Sequence, residues 1–200
     1  MRVYFCDASK KRTFDMRVIA GSAKGTPLQA VPGSGTRPIS DRVKESLFNI
    51  LAAEVEGARV LDLFAGTGSV GIEALSRGAE QATFVEKHPK AVAVIRANLQ
   101  RTHLQARGTV VQNDVFKYLA GPPTPFDLVY IAPPQYQGLW LKTLLAIDAN
   151  PAWLEPAGLV VVQIFPKELE AASLALLEMT DQRQYGSTLL CFYEPRETAG

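Results

Sequence analysis

The residues best suited to chemistry are three carboxylates and a glycine-rich turn, each placed where an apolar run ends. The carboxylates are Asp62, Glu86 and Asp114, and the turn contains Gly66, Gly68 and Gly71 at GxGxxG spacing. Such a turn between a strand and a helix lets the backbone approach a nucleotide closely, as NAD, FAD and S-adenosylmethionine all require. The sequence therefore predicts a site for a nucleotide cofactor.

Asp62 distinguishes S-adenosylmethionine from the dinucleotides, because its carboxylate lies four residues before the first glycine. A carboxylate there repels the pyrophosphate of a dinucleotide and attracts the ammonium group of S-adenosylmethionine. The alternative is that Asp62 only caps a helix or lies at the edge of the core. Glu86 does not discriminate, since its carboxylate can accept ribose hydroxyls from either cofactor. Asp114 can receive an adenine amino group, with Val115 against the ring, or act only as the N-cap of the next helix.

A second candidate site is the turn in DLVYIAPPQY, where a buried strand runs into Pro133-Pro134. Prolines fix φ and remove donors, so this turn should direct the carbonyls of residues 131–133 into a pocket. Gln135 or Tyr136 could then hydrogen-bond to a flat base or stack on it. The alternative is that the two prolines simply end the strand.

The elements that must position these residues alternate between strand and helix. Strands are predicted at 18–20, 59–64, 81–85, 109–112, 126–131, 158–165, 182–185 and 188–193. Helices are predicted after Ser40 and at 68–77, 89–102, 115–119, about 137–147 and from about residue 168. Apolar strands alternating with helices favour an α/β fold with a parallel sheet, and the close spacing of the last two strands indicates an antiparallel pair.

Composition places this sheet in one ordinary globular chain. The 200 residues are 47% hydrophobic and 20% charged, and no apolar run is long enough to span a bilayer. Cys6 and Cys191 lie far apart without a CxxC pattern, which favours a reduced, cytoplasmic protein without a metal site. Residues 1–15 look like an extension, a tag remnant or an upstream start, and 196–200 like a tail.

Charge is concentrated at the beginning of the chain. Residues 1–51 carry nine Lys or Arg and four acids, whereas the whole chain has a net charge of only +1. A basic segment of this kind favours contact with a polyanion, although it could also be a solvated surface. We therefore expect a basic segment, 16–56, ahead of the α/β domain at 57–195, with Arg42 and Lys44 on the polar side or flanks of its helix.

Three runs of sequence resemble the bacterial RsmD family: MRVIAGSAKG (16–25), TRPISDRVKESLFNIL (36–51) and VLDLFAGTGSVGIEALSRGA (60–79). The resemblance implies a Rossmann-like class I methyltransferase fold, with a seven-stranded, mostly parallel sheet whose last strand is antiparallel. It also implies that S-adenosylmethionine is used to methylate the exocyclic N2 of a guanine in 16S ribosomal RNA, free or in an assembling 30S subunit. The cofactor residues would be Asp62, Phe64, Gly66, Gly68, Glu86, Lys87, Asp114 and Val115; the RNA-contacting residues would be Arg17, Lys24, Arg37, Arg42 and Lys44.

The chain departs from the family at the proline turn. The family typically has Asp-Pro-Pro followed by Phe or Tyr, whereas this chain has Ala132, Pro133, Pro134, Gln135 and Tyr136. We place the catalytic site at these five residues, with the Gln135 oxygen and nearby carbonyls as substitutes for the missing acid. Three alternatives remain: amino methylation of another nucleic acid, such as adenine N6 in DNA; a weakly active, cofactor-binding RNA assembly factor; and, least favoured, an NAD dehydrogenase.

Overall fold

A computed structural model describes residues 16–33 and 39–196 as one α/β unit. Its five α-helices are α1 (Asp41–Leu51), α2 (Ser69–Ser76), α3 (Pro89–Arg101), α4 (Val115–Leu119) and α5 (Leu139–Asp148). Its seven strands are β1 (Arg59–Leu63), β2 (Gln81–Glu86), β3 (Gly108–Gln112), β4 (Phe126–Ile131), β5 (Leu154–Ile164), β6 (Leu177–Tyr185) and β7 (Thr188–Pro195). The residues thought to be an extension, 1–15, lie outside the described part of the chain.

The seven strands form a single sheet in the order β3-β2-β1-β4-β5-β7-β6. The neighbours among β1 to β5 are parallel, and β7 runs antiparallel to both β5 and β6. The predicted Rossmann-like α/β fold with a reversed last strand is therefore confirmed. The chain order reverses at β1, so the carboxyl ends of β1 and β4 border the crevice where such sheets bind ligands.

Helices cover both faces of the sheet, as the apolar strands require. One core lies between the sheet and α1, α2 and α3; on this side β1 and β4 present Val60 and Leu128. The other core lies under α4 and α5 and contains Leu61 and Val129. No helix of the described residues is both long and apolar enough to cross a membrane.

The helix predicted from about Glu168 is wrong. A short 3₁₀ turn, Pro166–Glu168, is followed by irregular chain that leads into β6. Both carboxylate oxygens of Asp148 accept backbone N–H groups of residues 175–177 at 2.8–2.9 Å, which fixes this chain in an extended path. Most of β6 is exposed, so its sequence lacks the alternation by which a half-buried strand is recognised.

The segment 16–33 forms a tight turn against α2 and α3. Instead of the predicted strand at 18–20, it makes one antiparallel bridge between Arg17 and Pro27. The carboxylate of Glu73 on α2 accepts the N–H groups of Ile19 and Ala20 at 2.8 and 3.0 Å. These bonds fix the basic segment to the helix that begins at the glycine turn.

Candidate cofactor and nucleic-acid site

The glycine turn connects β1 to α2 in a backbone conformation that favours glycine. Gly66 and Gly68 have φ of 55° and 73°, and Phe64 has the unusual value of 60° for a residue with a side chain. A Cβ on Gly66 would meet only the carbonyl of Phe64, at 3.8 Å, so one side of the turn is open. On Gly71 it would lie 2.4 Å from the Phe84 ring, so this glycine permits close packing of α2 on the sheet.

Asp62 and Glu86 place two carboxylates at this turn, and both are almost completely buried. Asp62 Oδ2 accepts the N–H of Gly71 at 3.1 Å, while Glu86 accepts those of Gly66 and His88 at 3.0 and 2.8 Å. Burial, opposed by the Gly71 bond and aided by the charge of Glu86, raises the pKa of Asp62 to about 8. Neither carboxylate has a cationic partner among residues 16–33 and 39–196.

This pair supplies the hydrogen-bond acceptors that the ammonium and ribose hydroxyl groups of S-adenosylmethionine need. The ammonium group of the cofactor would be the cationic partner that buried Asp62 lacks. Glu86 has further lone pairs that can accept hydrogen bonds from the ribose hydroxyls. The structure also gives some support to the alternative that Asp62 caps a helix, since its carboxylate accepts the N–H of Gly71 in the first turn of α2.

Asp114 and Val115 lie at the beginning of α4. Asp114 is the N-cap, and its Oδ1 accepts the N–H groups of Phe116 and Lys117 at 2.9 and 3.3 Å. Val115 is buried in the core under α4 and α5 and exposes little surface. Lys87 follows β2 and is exposed. An adenine contact by these residues remains a prediction, and the helix cap is what the structure shows for Asp114.

The proline turn lies directly beside the glycine turn. Leu63 and Ile131 are paired at the ends of β1 and β4, and the N–H of Ala132 points to the Leu63 carbonyl at 3.4 Å. Pro133 and Pro134 are half-buried, whereas Gln135 is exposed. The predicted catalytic residues therefore follow the strand beside Asp62, and Glu86 lies one strand farther along the same edge of the sheet.

Tyr136 is held at the rim of this turn by a residue that the sequence did not single out. Its N–H donates to Glu168 Oε1 at 2.6 Å, and the other carboxylate oxygen of Glu168 accepts the N–H of Phe165 at 3.1 Å. The Tyr136 ring is 66% exposed and lies 5.7 Å from the Phe165 ring. No sequence signal marks Glu168, because it lies 32 residues away and in a segment thought to be helical.

A buried polar pair lies beneath the proline turn and was also missed. The hydroxyl of Tyr130 on β4 donates to Gln163 Oε1 on β5 at 2.5 Å. Tyr130 is almost fully buried, and Gln163 is half-buried. Only the strand alignment reveals that these residues are neighbours.

Three of the residues expected to contact RNA have exposed side chains. Arg17, Lys24 and Arg42 are exposed, and Arg17 pairs with Asp41 at 3.2 Å. Arg37 lies outside the described residues.

The prediction that Lys44 lies on the polar side or flanks of α1 is wrong. Its side chain is 1% exposed, with the ammonium group 3.3 Å from Glu73 and donating to the Arg17 carbonyl at 2.6 Å. Burial lowers the pKa of Lys44, while the charge and hydrogen bond of Glu73 oppose that shift. Lys44 therefore anchors the segment 16–33 rather than facing a phosphate.

No group of three or more His, Cys, Asp or Glu side chains that could hold a metal ion occurs in the described part of the chain.

Comparisons with known proteins agree on one family. A family model described as "Conserved hypothetical protein 95" matches residues 16–194. The chain is 40% identical to Bacillus subtilis YlbH over 185 residues, which cover 90% of this chain and 100% of that protein. It is 36% identical over 148 residues, 74% of each chain, to the Escherichia coli protein named ribosomal RNA small subunit methyltransferase D. The solved structure of Escherichia coli yhhF matches with a TM-score of 0.81 and 32% identity, covering 92% of this chain and 99% of that one.

Proposed function

Because the chain belongs to the RsmD family of class I methyltransferases, we propose that it uses S-adenosylmethionine to methylate the exocyclic N2 of a guanine in 16S ribosomal RNA. The observation that carries this proposal is the contact between two sites. The glycine turn, with buried Asp62 and Glu86, adjoins the proline turn through the paired ends of β1 and β4. A methyl donor and a flat amine-bearing base could thus be held side by side.

In the proposed complex, Asp62 binds the ammonium group of the cofactor and Glu86 binds its ribose. Asp62 is suited to this role because it is buried without a described cationic partner. The backbone of Phe64, Gly66 and Gly68 lines the open side of the turn. Lys87, Asp114 and Val115 complete the site near the ribose and adenine.

Bound S-adenosylmethionine supplies an electrophilic methyl group: the amine lone pair forms the new N–C bond, the C–S electrons stay on sulfur, and one N–H proton leaves. The amine needs help because its lone pair is delocalised into the ring. A carbonyl among residues 131–133 accepts one of its N–H groups and helps to turn the lone pair towards the methyl donor, while Tyr136 stacks on the base. Such positioning can contribute roughly 7–11 kcal/mol to a reaction barrier.

The RNA is proposed to lie across the basic segment. Arg17, Lys24 and Arg42 are exposed, and Arg37 joins them by sequence. The segment is fixed to α2 through Glu73, so a phosphate bound there has a defined position relative to the glycine turn. This supports a large polyanionic substrate, and a cytoplasmic location accords with it.

Ala132 favours a second candidate, a weakly active RNA assembly factor. Removing one electrostatic contact in an active site typically costs about 2.7–4 kcal/mol, or 100- to 1,000-fold in rate. If nothing replaces the missing acid, cofactor and RNA would bind but methyl transfer would be slow.

The test is methyl transfer from labelled S-adenosylmethionine to free 16S RNA and to under-methylated 30S particles, with 23S RNA and DNA as controls. Mass spectrometry of the digested product should give N2-methylguanosine from 16S RNA only. Methyladenine in DNA would support the other amino-methylation reaction. Tight binding of cofactor and RNA without transfer would support the assembly factor and refute the enzyme.

A further inference from the structure

Gln163 lies where it could replace the acid that Ala132 lacks. The last aligned pair of β4 and β5 is Ile131 and Val162. The next residues, Ala132 and Gln163, are therefore neighbours across strands that are about 4.8 Å apart. Side chains alternate along a strand, so both lie on the face that also carries Tyr130.

The side-chain amide of Gln163 is held in place and still has acceptor capacity. Its Oε1 accepts the Tyr130 hydroxyl at 2.5 Å, and a carbonyl oxygen has two lone pairs. Burial, with the charge of Asp62, raises the pKa of Tyr130 well above its ordinary value, so the hydroxyl stays a donor at neutral pH. The second lone pair of Gln163 is left for another N–H.

Gln135, the other glutamine near the turn, is less well prepared. It is exposed, and no hydrogen bond to another described residue fixes its side chain. Ordering a free glutamine costs up to about 1.5–2 kcal/mol of side-chain entropy. The half-buried Gln163 has already lost much of that freedom.

Building on the proposed function, we propose that Gln163 Oε1 accepts an N–H of the target amine in place of the carboxylate that the family has before its two prolines. As the amine nitrogen takes the methyl group, the hydrogen bond stabilises the positive charge that develops there. A neutral amide does not take the proton, which passes from nitrogen to water. Tyr130 acts only by orienting the amide.

The test compares single-turnover methylation of 16S RNA or 30S particles by matched variants. Gln163→Met keeps the length of the side chain and removes the acceptor, and its rate should fall about 100-fold while cofactor affinity changes less than threefold. Gln182→Met, the same change on exposed β6, should leave the rate unchanged. Tyr130→Phe should cause a smaller loss than Gln163→Met, because the amide remains. Melting temperatures identify any variant that has unfolded.

Rescue separates an acceptor from a structural residue. Ala132→Asp should restore the rate in the Gln163→Met background by at least tenfold, because the carboxylate returns at the neighbouring position. Equal rates for Gln163→Met and the parent would refute the proposal, as would a loss seen only with Gln135→Ala. If Ala132→Asp gave no rescue and Tyr130→Phe and Gln163→Met caused equal losses, the Tyr130–Gln163 hydrogen bond would have only a structural role, and the proposal would be refuted.

The activities of the unmutated protein and of Ala132→Asp distinguish a failure of the role of Gln163 from a failure of the proposed function. If the parent is inactive and Ala132→Asp is active, the function stands and the role of Gln163 is refuted. If neither transfers a methyl group to any RNA, the proposed function itself fails and the role of Gln163 fails with it.

Discussion

Binding of S-adenosylmethionine should strengthen between pH 6 and pH 8, because Asp62 must lose its proton to pair with the ammonium group. Its pKa is raised to about 8 in the free protein. Below this pKa the Asp62 carboxyl group is neutral, and the ion pair with the ammonium group forms only after Asp62 releases its proton. Affinity is therefore lost as the pH falls.

The magnitude comes from the fraction of protein with Asp62 ionised. That fraction is about 50% at pH 8 and about 1% at pH 6, and apparent affinity scales with the competent fraction. The ammonium group of the ligand begins to lose its own proton near pH 8, which reduces the gain. With a pKa of about 7.7–8.0 for that amino group, we expect Kd to be about 15- to 25-fold weaker at pH 6 than at pH 8.

Calorimetric titration at several pH values measures this change. Asp62→Asn should bind at about the level of the parent at pH 6 and should show no pH dependence across this range. Asp114→Asn keeps a good N-cap residue and should retain the dependence. Methylthioadenosine, which lacks the amino acid arm, should bind the parent with the same affinity at pH 6 and 8.

A parent affinity that stays within twofold from pH 6 to 8 would refute the reasoning. It would mean that Asp62 does not bind the ammonium group, or that it is already ionised in the free protein. If methylthioadenosine binding showed the same pH dependence, a group other than Asp62 in another part of the site would cause it.

Three further changes test the packing and the RNA surface. Glu73→Ala leaves the buried ammonium group of Lys44 with only its bond to the Arg17 carbonyl and no carboxylate partner. It should reduce the free energy of unfolding by about 3–5 kcal/mol in urea titrations, whereas Glu80→Ala, at an exposed position, should cost less than about 0.5 kcal/mol. Gly71→Ala places a Cβ 2.4 Å from the Phe84 ring; thermal unfolding should show a loss of about 1–3 kcal/mol, and an unchanged melting temperature would contradict this packing. Arg42→Ala should weaken RNA binding and lower the slope of log K against log salt by about one, and an unchanged slope would remove Arg42 from the interface.

The sequence predicts the sheet well because its central strands are buried on both faces. Unbroken apolar runs such as 126–131 are visible without any tertiary information, and β4 begins and ends where expected. The close spacing of the last two strands likewise revealed the antiparallel β7. Of edge strand β6, only residues 182–185 were predicted and its first five residues were missed, because an exposed edge places few demands on residue type.

The positions of site residues could be predicted only where a suitable residue type stands at the end of a recognisable strand. Asp62 is the penultimate residue of β1 and Glu86 the last residue of β2, so their place at the glycine turn followed from the fold. Lys44 was misplaced because a charge in an amphipathic pattern is expected to face water, and its partner Glu73 is 29 residues away. Gln163 gave no signal, since its relation to Ala132 depends on how β4 and β5 align.

The anchoring of residues 16–33 also limits how the protein can be re-engineered. Asn98 on α3 donates to the carbonyls of Gln29 and Thr67 and accepts the N–H of Gln29 at 2.7 Å, which ties this segment to the glycine turn. Because these bonds use backbone groups of the segment, a relative's segment can replace it only if its backbone follows the same path and the recipient keeps Asn98 and Glu73. Retargeting the protein to another RNA would therefore mean changing exposed side chains of the segment, such as Arg17 and Lys24, while its turn is kept.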